Sequence, residues 1–337
     1  MNKESFIDWL AAGRVANLPS VVSNVVTGVL LGGFIWSSSK WDFTVLAVTA
    51  LGCLVGCFLY LGGCFLNDWW DRDWDRENKP SRAVPSGRLP ATALLFSALI
   101  FLVLGLVFAS GLGSLSFGVA VLIVIFILVY SAIHKATSWG VMAMGLCRGA
   151  LYFLGGSSVG PEGGLFSEFE GGWPQNIDVF REFGLVLVLP ALGLVSYIMG
   201  LSLLARFEAK GNLPAINRTL ACLFLFSPAL THLLFVASEF QLVFVLAALP
   251  FLLVVYLATK LITKSLPKGV SLLLAALPLL DFMLVFPLIC VGGVWGIPEG
   301  FGALFFQGKI YGGAMVALFP LLAFLSALVL QKIAPAT

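Results

Sequence analysis

The 337-residue chain is 60% hydrophobic and only 11% charged, with a mean hydropathy of +1.02. Soluble domains carry roughly 25% charged residues, so a single water-soluble core is excluded and a polytopic membrane protein is expected. The formal net charge of +2 is spread over separate polar loops and forms no basic stripe, which excludes nucleic acid as a partner.

Residues 1–14 set Glu4 and Asp8 among Phe6, Ile7, Trp9 and Leu10. That pattern predicts a short amphipathic helix lying at the membrane interface rather than a cleaved leader. About ten apolar runs follow, over 15–36, 43–66, 89–110, 113–133, 138–158, 184–205, 216–238, 240–263, 269–294 and 308–331. Each is long enough to cross about 30 Å of hydrocarbon at about 1.5 Å per residue. Nine spans result if one C-terminal run is re-entrant. Pro190, Pro250, Pro278 and Pro287 fall inside runs, which membrane helices tolerate when neighbours satisfy the freed backbone groups. The expected fold is an all-α membrane bundle of nine or ten helices forming one domain over 1–337. All six cysteines lie in apolar runs, as small packing residues rather than a disulfide framework.

Charge between the runs orients the bundle. With the N-terminus inside, 15 of the 19 lysines and arginines are cytoplasmic. Lys40, Arg181 and Lys309 fall outside, and Arg148 lies within the fifth run. The expected location is a bacterial inner membrane, with residues 67–88 in the cytoplasm. The loop 160–181, holding Glu162, Glu168, Glu170 and Asp178, is then external. It is either a solvated segment kept acidic for translocation or a lid on the far face. Three cytoplasmic loops, 67–88, 130–139 and 205–218, are polar and are placed to converge over the mouth of the bundle.

The loop 67–88 stands out. Five of the 17 carboxylates lie between Asp68 and Glu77. Asn67, Asp71 and Asp75 recur at i, i+4 and i+8 on one helical face, and Asp68 joins it at i, i+3 from Asp71. Like charges at that spacing repel, so the pattern makes sense if a divalent cation neutralises them. Mg2+ prefers one or two carboxylates plus substrate phosphates to an all-protein cage. Arg72, Lys79 and Arg82 lie alongside and suit phosphate oxygens. The alternative is a juxtamembrane loop whose ion pairs compensate one another.

Ionisable residues inside the bilayer are functional candidates by default. Arg148 either reaches a phosphate or pairs with an acid such as Asp281. Asp281 suits a helix–helix contact better than catalysis. His134 reads as an interfacial residue. Asn24 and Tyr197 are polar groups within apolar runs, suited first to helix–helix hydrogen bonds and second to substrate contact.

The segment NDWWDRDWD fits NDxxDxxxD and is followed by NKPSRAVPSG. It resembles the first aspartate-rich motif of the UbiA superfamily of intramembrane prenyltransferases. Arg14 and Asn17 at the first span, Tyr130 and Lys135 after the fourth, and the charged end of the sixth agree with that layout. The resemblance implies a helical bundle around a central cavity. It also implies Mg2+-dependent transfer of a prenyl group from a prenyl diphosphate to a hydrophobic acceptor, with partner enzymes of the same pathway as further neighbours. Asn67, Asp68, Asp71 and Asp75 would hold the metal, and the aspartates would be catalytic. A second family motif carries acids at DxxxD spacing. Here it offers Leu204 and Glu208, with Arg206 and Lys210 around them, so Glu208 alone would add a metal ligand while the two cations contact phosphate. The departure is similar to that of divergent members, the EboC-like branch among them. The competing expectation is a non-catalytic or transport-linked protein that binds a lipid diphosphate or a hydrophobic metabolite.

Overall fold

A computed structural model describes residues 3–35, 43–135, 137, 139–159, 184–207, 214–233, 241–291 and 310–334. Every regular element among the described residues is a helix. They form α1 (Lys3–Ala12), α2 (Leu18–Ile35), α3 (Phe43–Trp70), α4 (Arg72–Asn78), α5 (Ala91–Ser110), α6 (Ser114–Ile133) and α7 (Gly140–Ser158). Then follow α8 (Leu189–Ala205), α9 (Ala215–Leu233), α10 (Gln241–Ile262), α11 (Leu266–Ala275), α12 (Leu277–Val291) and α13 (Ile310–Ile333). Seven segments are long and apolar enough to cross a membrane: Val15–Gly33, Val45–Trp70, Ala91–Ser110, Ser114–Ile133, Val186–Ala205, Leu242–Ile262 and Leu266–Pro287. The other three predicted spans correspond to α7, α9 and α13, each of which packs into the bundle. The external acidic loop 160–181 lies outside the described residues.

Two cores share one seam. Val21, Val25, Val55, Leu59, Leu94, Ala98 and Ile127 knit α2, α3, α5 and α6 together. Leu194, Tyr197, Leu225, Phe251, Val255, Leu273 and Leu280 knit α8 to α12. Helices α2 and α7 contribute to both and run against each other between them. Their backbones approach so closely that a Cβ on Gly28 would lie 2.8 Å from Tyr152 Cα, and one on Gly32 would lie 2.5 Å from Gly156 Cα. In lipid, where no hydrophobic force drives helices together, small residues at i, i+4 permit this contact. The outward faces carry large apolar residues such as Phe96, Ile100, Val103 and Val107 on α5, as a lipid-facing surface requires.

Helix α1 covers Lys3–Ala12 of the segment expected to be amphipathic. Trp9 packs edge-on against Phe65 of α3, with ring centroids 5.5 Å apart, while Phe6 stays half exposed. The chain then turns through Arg14, whose left-handed backbone (φ 44°, ψ 46°) separates α1 from α2 and is unusual for a residue with a side chain. The same turn sets Arg14 beside the end of α3.

Candidate functional site

The polar stretch after α3 keeps its face. The helix breaks at Asp71, yet the Asp71 amide donates to the Asn67 carbonyl (2.9 Å) and the Asp75 amide to the Asp71 carbonyl (2.8 Å). The i to i−4 pattern therefore carries across the break into α4. Asn67, Asp71 and Asp75 end up buried on one side, at 8%, 3% and 2% exposure. Asp73 and Arg76 take the solvent side, 3.5 Å apart.

Protein cations hold these carboxylates. Arg14 Nη2 meets Asp68 Oδ1 at 2.8 Å. Arg82 Nη1 lies 2.7 Å from Asp75 Oδ2 and 3.7 Å from Asp68 Oδ1, bridging the two. Asp71 Oδ2 takes His134 Nε2 at 3.0 Å and Lys135 Nζ at 3.2 Å, and Asn67 Nδ2 donates to it at 3.3 Å. Burial pushes the Asp71 carboxyl up, but the hydrogen bond and charge of His134, with Lys135, outweigh it and leave it below the usual carboxylate value. The Asp68 carboxylate likewise holds the Arg14 guanidinium well above its ordinary range, against the opposing effect of burial.

Two hollows meet here. A cavity of about 740 Å³ runs into the bundle, and Asn67, Asp71, Trp74, Lys79, Arg82, Tyr130, His134, Lys135 and Arg206 line its mouth. Its deeper wall includes Leu59, Ile123, Ile127, Leu151, Ile198, Leu201 and Leu274. A smaller hollow of about 120 Å³ lies beside it under α1, lined by Asp8, Asp68, Asp75 and Arg88. Arg14 and Arg82 border both, so the two arginines form the partition. Residues from all three polar loops, including Phe207 and Asn217, reach the large cavity, so the expected convergence is present.

Several placements differ from the sequence expectation. The carboxylates do not open into one hollow: Asp71 faces the large cavity, while Asp68 and Asp75 face the small one. Arg14, Arg82 and Lys135 pair directly with these carboxylates and His134 contacts Asp71, the ion pairing that the loop reading anticipated. Arg72 does not join the cavity wall. Its Nη1 donates to the Trp69 carbonyl (3.0 Å), and its guanidinium lies 4.7 Å from the Trp69 ring centroid. Tyr197 takes the helix–helix role expected of it first, not the substrate contact: it is fully buried and donates to the Leu273 carbonyl (2.8 Å), outside the cavity lining. Asn24 is also fully buried, between Asp281 and Arg148. Glu208 and Lys210 lie outside the described residues, and Leu204 is buried in the core. Arg206 lines the mouth and donates to the Thr137 carbonyl (3.0 Å). His134 was undervalued: stacked on Tyr130 (4.6 Å), with Nδ1 against the Tyr130 carbonyl, it aims Nε2 at Asp71. Its sequence signal was the Tyr130–His134 spacing of one helical turn at the end of α6.

Among the described residues, no three acids, imidazoles or thiols converge as a ready-made metal cage. Two buried oxygens of this stretch, Asn67 Oδ1 and Asp75 Oδ1, nevertheless have no partner among the described residues. An orphaned buried acceptor costs about 1–3 kcal/mol. Oxygen donors few in number beside a wall of cations fit Mg2+ shared with a polyanion, which needs few protein ligands.

An apolar chamber among membrane helices, with acids and bases at its mouth, defines an intramembrane protein for an amphiphile with an anionic head. Residues 25–280 match the UbiA prenyltransferase family, and the chain belongs to that family. The family uses Mg2+ and prenyl diphosphate substrates. The chain is 33% identical to the bacteriochlorophyll synthase 33 kDa chain of Cereibacter sphaeroides over 129 residues, 37% of this chain and 41% of that one. It is 29% identical to digeranylgeranylglyceryl phosphate synthase of Methanothrix thermoacetophila over 150 residues, 44% of this chain and 53% of that one. The chain thus spans about half the length of the curated relatives it matches. Its fold is similar to that of a UbiA homolog from Aeropyrum pernix K1 (TM-score 0.51, 13% identity, 94% of this chain and 98% of that one). A UbiA homolog from Archaeoglobus fulgidus, solved with DMAPP and Mg2+, aligns at a TM-score of 0.44 and 16% identity over 96% of this chain and 99% of that one.

Proposed function

We propose that this chain transfers a prenyl group from a prenyl diphosphate to a hydrophobic acceptor with Mg2+ bound. One observation carries the proposal: a single cavity joins Asn67 and Asp71, set among Lys79, Arg82, Lys135 and Arg206, to a long apolar wall. The cationic side chains take non-bridging oxygens of the diphosphate, which guanidinium and ammonium groups pair with strongly. Asn67 and Asp71, with Asp75 behind Arg82, are the residues that would hold Mg2+. When bound, the ion offsets charge that develops on the leaving diphosphate. Lys135, whose Nζ sits 3.6 Å from the Trp74 ring centroid, is steered toward the mouth by that ring and by Asp71. The apolar wall holds the prenyl tail and keeps water from the allylic carbon, so the carbon–oxygen bond breaks with its electron pair leaving on diphosphate, the carbon bonds to the acceptor's nucleophilic atom, and the acceptor's proton passes to the released diphosphate.

Orientation with the Asp-rich end in the cytoplasm, and a place in an EboC-like branch, belong to the same proposal. The first rests on the distribution of basic residues, the second on the missing acid at Leu204. A second reading, a carrier that binds the diphosphate without reacting, is favoured by that missing acid and by the direct arginine pairing of Asp68 and Asp75. Incubating purified protein in nanodiscs with Mg2+, radiolabelled geranylgeranyl diphosphate and a lipid extract separates the two. Diphosphate release with a new labelled lipid supports transfer. Saturable binding without release establishes the carrier.

A further inference from the structure

Arg148 lies in the middle of α7 and is 7% exposed, and that exposure opens on the large cavity. Its Nη1 donates to Ser20 Oγ (3.1 Å) and Asn24 Oδ1 (3.3 Å), and its guanidinium lies 4.9 Å from the Tyr60 ring centroid. No carboxylate among the described residues pairs with it directly. The nearby acid, Asp281, is already occupied. Asn24 Nδ2 donates to both of its oxygens (3.1 and 3.0 Å), and Tyr152 donates to Oδ1 at 2.6 Å. The Asn24 amide thus turns its nitrogen toward Asp281 and its oxygen toward Arg148. Asp281 thereby positions Arg148 without capping it. A buried cation held only by neutral oxygens retains most of its need for an anion.

Beside it sits an orphan acceptor. Asn17 is 4% exposed and lines the same cavity. Its Nδ2 donates to Tyr60 Oη (3.0 Å), while its Oδ1 has no partner among the described residues. Ser20 Oγ, the acceptor for Arg148, itself donates to the Asn17 carbonyl (2.7 Å), so the two groups share one small framework. Tyr60 precedes Asn67 by two helical turns on α3, so this framework lies about 10 Å deeper than the Asp-rich mouth.

We infer that Arg148 and Asn17 form a second polar subsite that takes the head group of the acceptor: an oxyanion on Arg148, with an adjacent hydroxyl donating to Asn17 Oδ1. The inference rests on the transfer reading for the word acceptor, but the subsite is defined by its own residues. Charge decides which ligand part belongs here. A guanidinium destabilises a nearby carbocation, so the allylic carbon does not lie against Arg148. The diphosphate already has Lys79, Arg82, Lys135 and Arg206 one cavity length away. An anionic head on the second substrate satisfies both constraints.

Three probes of matched tail test this by calorimetry on the full chain in nanodiscs: decyl phosphate, decanoate and decanol, with geranylgeranyl diphosphate plus Mg2+ titrated in parallel. The wild type is expected to bind at least one anionic probe at least tenfold tighter than decanol, and Asp71→Asn to keep that preference. Arg148→Gln is expected to erase it while changing geranylgeranyl diphosphate affinity less than threefold. Asn17→Asp is close in shape and keeps the fold testable if Arg148→Gln does not fold. Its added negative charge is expected to cut the anion preference about tenfold. No anion preference in the wild type, or an unchanged one in whichever variant folds, overturns the subsite. A tenfold loss of diphosphate affinity in Arg148→Gln also overturns it, by assigning Arg148 to the first substrate. Failure of diphosphate binding in every variant and the wild type instead overturns the transfer reading while leaving the anion arm to stand or fall alone.

Discussion

The mouth of the cavity and its interior handle charge in opposite ways. At the mouth, Asp68 and Asp75 touch Arg14 and Arg82 directly and Asp71 touches Lys135 and the His134 ring, with the Arg14, Arg82 and Lys135 side chains a fifth to a third exposed. In the interior, Arg148 and Asp281 are kept apart by the Asn24 amide, and all three are buried. The partners of these carboxylates line the cavity, where a bound polyanion competes for them. Buried charges are costly to unpair, and a neutral spacer between them leaves one end free for a ligand. The mouth is therefore built to rearrange around a polyanion and a metal, and the interior to stay fixed.

The largest test of this contrast is Asp71→Ala. Among the described residues it removes the one carboxylate that faces the large cavity, and it should lower Mg2+-dependent prenyl transfer about 1,000-fold or more, roughly 4 kcal/mol of activation free energy. Turnover of labelled geranylgeranyl diphosphate reads this out, and an active alanine variant breaks the metal assignment. Asp281→Ala should instead act on stability. It strands Asn24 Nδ2 and the Tyr152 hydroxyl and loosens the amide that holds Arg148, at a cost of about 3 kcal/mol in denaturant unfolding. If its unfolding midpoint matches the wild type, the interior is not the rigid element described above.

Lys135→Gln keeps the length of the side chain but loses its charge at the mouth, and should weaken diphosphate binding about tenfold in calorimetry. The pH behaviour is smaller in scale. Because Asp71 is held below its ordinary value of 3.8 in the folded protein, its contribution is fully present above that pH. It fades as pH falls through the lower folded value. In metal-free buffer, the stability gap between wild type and Asp71→Asn should thus be constant from pH 7 to 5 and shrink below pH 3.8. A gap that widens on acidification reverses the sign of the assignment. Smallest of all is Asp8→Ala. It removes the 2.9 Å contact with Arg88, which is half exposed, and should cost less than about 1 kcal/mol, an effect that 0.5 M salt screens away.

How far the residues alone reached can be seen helix by helix. The run 43–66 was visible because a lipid-facing helix must be apolar along its whole length, and α3 indeed extends over Phe43–Trp70. Helix α7 was harder. Its glycines and Arg148 lower its apolar character, because it faces other helices and the cavity instead of lipid. The i, i+4, i+8 face of Asn67, Asp71 and Asp75 was likewise legible, being a property of helical periodicity.

What the linear pattern determined is the class: a membrane bundle with an acidic, basic and aromatic stretch at one end and a polar group in the middle of several spans. Composition and period suffice for that, since bilayer thickness and helical pitch act locally. Tertiary structure alone decided which cation meets which acid. Arg14 reaches Asp68 across 54 positions, His134 reaches Asp71 across 63, and Asn24 reaches Asp281 across 257. Those pairings depend on the approach of whole helices, allowed by Gly28 and Gly32 against α7, and no local spacing encodes it. The same packing split the aspartates between two hollows and left Arg148 facing the larger one.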